Sequence, residues 1–254
     1  MESVRGHRNQ RVVEAARLHR SRERRLTGRT LIEGPNLLQE ALTAGVIPDT
    51  VFALPDDQAT SRLSDHQGFE LIQVDEGALA RVAGTKTPRG PVAVIGIPDR
   101  ASVHERGLLI AWGVSDPGNV GSLVRIAAVF GWDFGFTPET ADPWSPKVLR
   151  AGSGGHFRIG IKSFDALAAI DSTGFTPVAT LVAGGVAPAS LHPDRYAVLI
   201  GEEASGLPVE VVESCPVRVT IPMAGGLDSL NAAMAAAIVV YELSKPEGQG
   251  ERRV

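Results

Sequence analysis

A single cysteine, Cys215, leaves no partner for an intramolecular disulfide and no thiolate cluster for a metal. No apolar stretch approaches the ~20 residues that a membrane helix needs, because Pro, Gly or a charge interrupts each one. The opening residues 1–7 carry no apolar run after their positive charges, so a secretory signal is not expected. The six histidines (7, 19, 66, 104, 156 and 192) lack ligand spacing, and no metal is expected. No lysine follows a glycine loop as a phosphate-binding loop requires. Gly152-Ser153-Gly154-Gly155 lacks dinucleotide spacing, and no nucleophile elbow supports Ser-His-Asp hydrolysis. The composition that remains, 43% hydrophobic and 21% charged over 254 residues, excludes disorder and coiled coil. It reads as a soluble cytoplasmic protein of one large or two smaller domains.

The net charge of -4 conceals an asymmetry. Residues 1–29 hold nine arginines against three glutamates, so a basic arm precedes an acidic body. Phosphate contacts supply most non-specific affinity for nucleic acid, and such an arm suits a polyanion; a solvated helix is the alternative. The arginines nearest the first strand, Arg22, Arg24, Arg25 and Arg29, are the expected RNA-phosphate contacts. His156 and Arg158 stay open between an RNA contact and a plain surface role.

Periodicity predicts a helix over 9–25, a strand at Thr30–Glu33 and a helix from Asn36 to Ala44. Strands follow at 50–54, 71–74 and 92–97, with a helical turn at 76–82. This small α/β domain, 1–97, ends in the polar stretch Ile97–Ser102. A second domain, 107–244, alternates strand and helix, and the unbroken apolar run Leu108–Val114 marks a strand buried on both faces of a parallel sheet. Its other strands are expected at 132–137, 157–161, 176–182, 197–200 and 217–221. Helices are expected at 120–130 and 230–243, with a helical turn near Lys147. Residues 245–254 form a polar tail. Ligands of such sheets lie beyond the carboxyl ends of the strands.

Three loops at those ends carry polar groups. In the first, Ser115 to Arg125, Asn119 is a candidate helix cap. Arg125 stands alone in apolar sequence and needs an anion, either an internal carboxylate or a ligand phosphate. The second, Leu199 to Pro208, frames Glu202 and Glu203 with glycines that let a ligand approach the backbone. Glu203 has two candidate roles, capping a helix or pairing with Arg125; Glu202 suits a helix N-terminal charge. The third, Ile221 to Asn231, precedes an Ala-rich helix with Asp228 or Ser229 as its expected cap and Asn231 in its first turn.

Asn119-x-Gly121-x-x-x-Arg125, Gly201-x-Glu203-x-x-Gly206-Leu207 and Ile221-Pro222-Met223 followed by Ser229-Leu230-Asn231 resemble the three motifs of the SpoU/TrmH family of RNA ribose 2′-O-methyltransferases. These belong to the SPOUT superfamily. The resemblance spans about 107–243. The Arg-rich start with Ile32-Glu33-Gly34-Pro35 looks like the L30-like substrate-binding domain that many members carry. Glu202 departs from the pattern, standing where Asn or Ser is usual; so do Gly152 and Ala232, in place of the frequent Ser and Val.

The resemblance implies an α/β parallel-sheet domain with a C-terminal trefoil knot, an S-adenosylmethionine cofactor and a homodimer. It points to Thr180, Leu181, Gly201, Ile221, Met223 and Leu230 as cofactor contacts. The catalytic set it implies is Asn119, Arg125, Glu203, Ser229 and Asn231. Large-subunit ribosomal RNA is the first expected substrate and transfer RNA the second. A non-catalytic RNA-binding or ribosome-assembly protein and a base methyltransferase are the alternatives.

Overall fold

Adjacent strand residues face opposite sides of a sheet, and pairs such as Leu31-Ile32 and Val51-Phe52 supply an apolar side chain to each side. In the computed structural model these pairs lie in β2 (Arg29–Glu33) and β3 (Thr50–Ala53). The structure describes residues 2–4, 6, 8–88, 90–99, 106–192, 194–224 and 230–245. With β1 (Glu2–Val4), β4 (Glu70–Val74) and β5 (Val92–Gly96) they form a five-stranded mixed sheet ordered β1-β4-β3-β5-β2. Leu31, Phe52 and Ile72 pack under α1 (Gln10–Arg17) and α5 (Glu76–Ala83). Ile32, Val51 and Leu71 pack under α3 (Pro35–Thr43), joined by Leu149 and Phe157. Those last two come from α7 (Pro146–Gly152) and a short 3-10 turn (Gly155–Phe157), and residues 142–157 group with 1–99 in this first unit.

The single helix expected over 9–25 is two, α1 and α2 (Ser21–Thr27). Leu18 is buried and its carbonyl accepts from Arg24 Nη1 at 2.7 Å, so the terminal acceptor of α1 is satisfied by a side chain and the helix need not continue. Helix α4 (Gln58–Gln67) has no apolar stripe and buries only Thr60, so periodicity did not reveal it. It is fixed instead by Asp57, which accepts from the Thr60 amide at 3.0 Å, and by left-handed Gly68. The strand expected at 157–161 begins only at Ile161, since Phe157 is committed to the first unit's core. His156 is neither an RNA contact nor a surface residue. It is fully buried against the Trp144 ring, 5.5 Å between centroids. Burial pushes its pKa down to about 4, outweighing the opposing Pro143 carbonyl.

The second unit is a six-stranded sheet with all strands parallel, ordered β11-β9-β10-β6-β7-β8. Its strands are β6 (Gly107–Ala111), β7 (Asp133–Phe136), β8 (Ile161–Ser163), β9 (Thr176–Leu181), β10 (Tyr196–Ile200) and β11 (Val217–Thr220). The central pair, β6 and β10, is buried at every residue, as the continuous apolar sequence requires. Its helices are α6 (Pro117–Phe130), α8 (Leu167–Asp171), α9 (Val209–Ser214) and α10 (Ala232–Leu243), and α6 packs on α10. From β6 the chain steps outward to β7 and β8, then crosses to β9 and β10. That reversal at β6/β10 is a switch point, and ligands of such sheets lie at the carboxyl ends of the strands.

Candidate active site

The loop after β10 folds back on itself so tightly that only glycine fits. A Cβ on Gly201 would lie 2.4 Å from the Gly206 carbonyl carbon, and Gly206 takes φ +67°. The Gly206 amide closes the turn by donating to the Glu202 carbonyl at 2.8 Å. From this rigid turn two neighbouring carboxylates leave in different directions. Glu202 accepts from the amide and the hydroxyl of Ser115, at 2.7 and 3.2 Å. Glu203 Oε1 accepts from Asn231 Nδ2 at 2.6 Å and from the Ala232 amide at 3.5 Å.

Asn231, not Asp228 or Ser229, caps α10. Its Oδ1 accepts from the Ala233 and Met234 amides at 3.0 and 3.3 Å. The cap fixes which end of the amide faces which way, so Nδ2 is left to donate to Glu203 and, at 3.0 Å, to Asn119 Oδ1. Asn119 is likewise not the cap of α6. Asp116 is, accepting from the Asn119 amide at 2.8 Å with Pro117 at the first helical position. Freed from capping, Asn119 turns its own Nδ2 donors away from Asn231, with no partner for them among the described residues. Asn119, Glu203 and Asn231, from three loops, thus form one network.

Beside it lies a cleft of about 280 Å³. Thr180, Leu181, Gly201, Ile221, Met223 and Leu230, all the expected cofactor contacts, line it together with Glu202 and Glu203. The Thr180 hydroxyl donates to the Leu199 carbonyl at 2.7 Å and holds β9 to β10 there. A second close approach lies beyond β9, where a Cβ on Gly185 would sit 2.5 Å from the Val219 carbonyl carbon.

Arg125 stays apart from this network. It lies on the exposed face of α6, opposite Val120, Leu123 and Val124, with no ion pair among the described residues. Neither the internal carboxylate nor the pairing with Glu203 is realised, since Asn231 occupies Glu203. Ser229 lies outside the described residues, as does Asp228. Of the four arm arginines, Arg22 and Arg25 are exposed and Arg29 pairs with Asp49 at 2.8 Å. Arg24 is not an available RNA contact: it is 3% exposed and pairs with Asp142 through Nε and Nη2 at 3.0 and 2.5 Å. The bond from Glu202 to Ser115 escaped the sequence reading because the two stand 87 positions apart. The Asp116 cap had a local signal, Asp before Pro at a helix start. Among the described residues no group of three or more His, Cys, Asp or Glu is placed to hold a metal, and no helix is long and apolar enough to cross a membrane.

A fully parallel sheet with a cleft at the carboxyl ends of β9, β10 and β11, beside a network of one carboxylate and two amides, defines an α/β domain built to hold a small ligand at its strand ends. Residues 107–241 match the SpoU rRNA Methylase family and residues 9–93 an MRM3-like substrate binding domain. The chain belongs to the SpoU rRNA Methylase family. It is 31% identical over 249 residues to the 23S rRNA (guanosine(2553)-2′-O)-methyltransferase RlmP of Bacillus subtilis, covering 96% of this chain and 99% of that protein. An AdoMet-bound rRNA methyltransferase from Sinorhizobium meliloti superposes with a TM-score of 0.82 at 26% identity, over 95% of this chain and 97% of that one. The SpoU methyltransferase AviRb from Streptomyces viridochromogenes, in complex with AdoMet, gives 0.83 at 26% identity over 93% and 97%.

Proposed function

We propose that this protein methylates a ribose 2′-hydroxyl of large-subunit ribosomal RNA, using S-adenosylmethionine. The observation that carries the reading is the Asn119–Asn231–Glu203 network beside a cleft lined by all six residues that the motifs single out. The cleft suits the cofactor: backbone-rich walls at Gly201, where a side chain would collide, apolar Leu181, Ile221 and Leu230, and carboxylates at the rim toward a cationic ligand. Bound there, the cofactor would supply an electrophilic methyl carbon on a sulfonium centre. The protein's task is to align the hydroxyl with it and to stabilise the charge that develops on oxygen. The outward Nδ2 donors of Asn119 orient the ribose, while Glu203 and Asn231 hold that amide in place. Arg125, a guanidinium with five N–H donors and no acceptor, contributes charge by clamping a phosphate and stabilising the developing alkoxide. Ser229 shapes the pocket beside Asn231.

Residues 1–97 would present the RNA and 107–244 would act on it, in the cytoplasm. Exposed Arg22 and Arg25 bind phosphates, joined by Arg29 once it leaves Asp49. In the C-terminal part, the approach of Gly185 to Val219 suits the tight passage that a trefoil knot demands. The molecule works as a homodimer. Met234, Ile238 and Tyr241 recur at helical spacing on α10 and are 62%, 39% and 53% exposed, with Val129 of α6 at 70%. Sedimentation at low micromolar concentration should give twice the chain mass.

Labelled methyl transfer to ribosomal and transfer RNA, followed by nuclease digestion, tests the function. A nuclease-resistant dinucleotide from large-subunit RNA is expected. Label in a base or in transfer RNA alone would replace the substrate assignment, and absence of cofactor binding by calorimetry would favour a non-catalytic RNA-binding protein.

A further inference from the structure

We infer that Glu202 is a positioning residue: its carboxylate fixes the start of α6 so that Asn119 meets Asn231. The loop that carries Glu202 cannot give way, since Gly201 packs on Gly206 with no room for a Cβ and the Gly206 amide binds the Glu202 carbonyl at 2.8 Å. From that fixed point its two oxygens take both donors of Ser115, the amide and the hydroxyl. Ser115 directly precedes Asp116, the cap of α6. Ser115 stands two positions before Pro117, the first residue of α6, so holding it seats the start of a rigid rod and with it Asn119, the third helical residue, and Arg125 farther along.

Glu203 does the same for α10 through Asn231 and the Ala232 amide. Adjacent side chains of one loop therefore seat the starts of two helices, and the Asn119–Asn231 hydrogen bond closes the ring at 3.0 Å. A helix-terminal charge does not account for Glu202, because the next helix begins seven positions on, at Val209. The carboxylate reaches across to both donors with charge-assisted bonds.

The inference rests on the methyl-transfer reading for its rate measurement alone. In single-turnover methylation at saturating cofactor and RNA, Glu202→Ala should slow the step by about tenfold, with RNA affinity unchanged. Glu202→Asp, one methylene short of Ser115, should be similarly slow. Glu202→Gln keeps an acceptor for the amide and a donor for the hydroxyl; at saturating cofactor, where the lost rim charge acts on cofactor binding alone, it should be at least about threefold faster than Glu202→Ala. If Glu202 acts through Asn119, adding Glu202→Ala to Asn119→Ala should cost less than about twofold more.

Amide hydrogen exchange supplies a readout independent of turnover: Ser115 should lose protection in Glu202→Ala and keep it in Glu202→Gln. A wild-type rate in Glu202→Ala, additive losses in the double variant, or unaltered Ser115 exchange would each overturn the inference. Should Glu202→Ala fail to fold, the Asp and Gln variants decide: equal rates and equal exchange overturn it. If the wild-type protein transfers no methyl to RNA, the function fails while Ser115 exchange still judges Glu202.

Discussion

In the first unit Arg24 is 3% exposed and turns its donors inward, to Asp142 and to the Leu18 carbonyl; in the second, Arg125 stands on the open face of α6 with no carboxylate beside it among the described residues. Arg24 comes from a short basic helix and Arg125 from a largely apolar one, yet the first is spent on holding its unit together and the second is left exposed, with no ion pair among the described residues. A buried guanidinium is tolerated only when paired, whereas an exposed unpaired one costs the fold little and gains its energy when an anion arrives. The same division runs through the carboxylates. Asp142 serves structure, and Glu203 serves the rim of a cleft.

Arg24→Ala should have the largest effect on stability. It strands Asp142, itself 27% exposed in its side chain, and should cost on the order of 3 kcal/mol in denaturant unfolding while leaving cofactor affinity unchanged. Arg125→Ala should do the reverse, lowering turnover on the order of 10²-fold or more with an unaltered unfolding midpoint. If both variants lose the same property, the contrast between the two arginines collapses.

An intermediate effect concerns pH. His156 is held neutral, with its folded-state pKa near 4 against 6.5 when exposed, so below pH 6.5 the unfolded chain takes up a proton that the folded chain refuses. Stability should therefore fall as pH drops from 6.5 toward 4, by about 2 kcal/mol at pH 5. His156→Phe should flatten that window in urea titrations, provided the ring fits beside Trp144. An unchanged slope would remove His156 from the account. The smallest effect belongs to the arm. Arg22→Ala with Arg25→Ala should weaken RNA binding and lower the slope of log affinity against log salt by roughly 0.7 to 0.9 per lost phosphate contact. Arg24 should contribute nothing to that slope.

Much of the second unit was legible because parallel strands buried on both faces write themselves as unbroken apolar runs, as at Leu108–Ala111 and Tyr196–Ile200. The cleft followed from the loops after β9, β10 and β11. Helix α4 was hidden by its polar composition, and the break between α1 and α2 by the lack of any Pro or Gly between Arg17 and Ser21. Caps went to near neighbours, Asp116 instead of Asn119 and Asn231 instead of Asp228 or Ser229, because several capping residues stand in a row at each start. Pairings between distant residues left no local trace. Nothing around Arg24 announces a carboxylate 118 positions away, and nothing around Glu202 announces Ser115.

The order β11-β9-β10-β6-β7-β8 also bears on how the chain is born. Strand β6 pairs on one side with β7, soon after it, but on the other with β10, where Leu109 meets Val198 about ninety residues later. At ribosomal speeds of about 5–20 residues per second, that edge of Gly-Leu-Leu-Ile-Ala waits roughly 4 to 18 seconds for its neighbour. Until then an apolar strand offers open backbone donors and acceptors to any passing chain. Newly made protein should be most prone to aggregate in that interval, and a nascent-chain chaperone bound near β6 would guard the unfinished centre of the sheet.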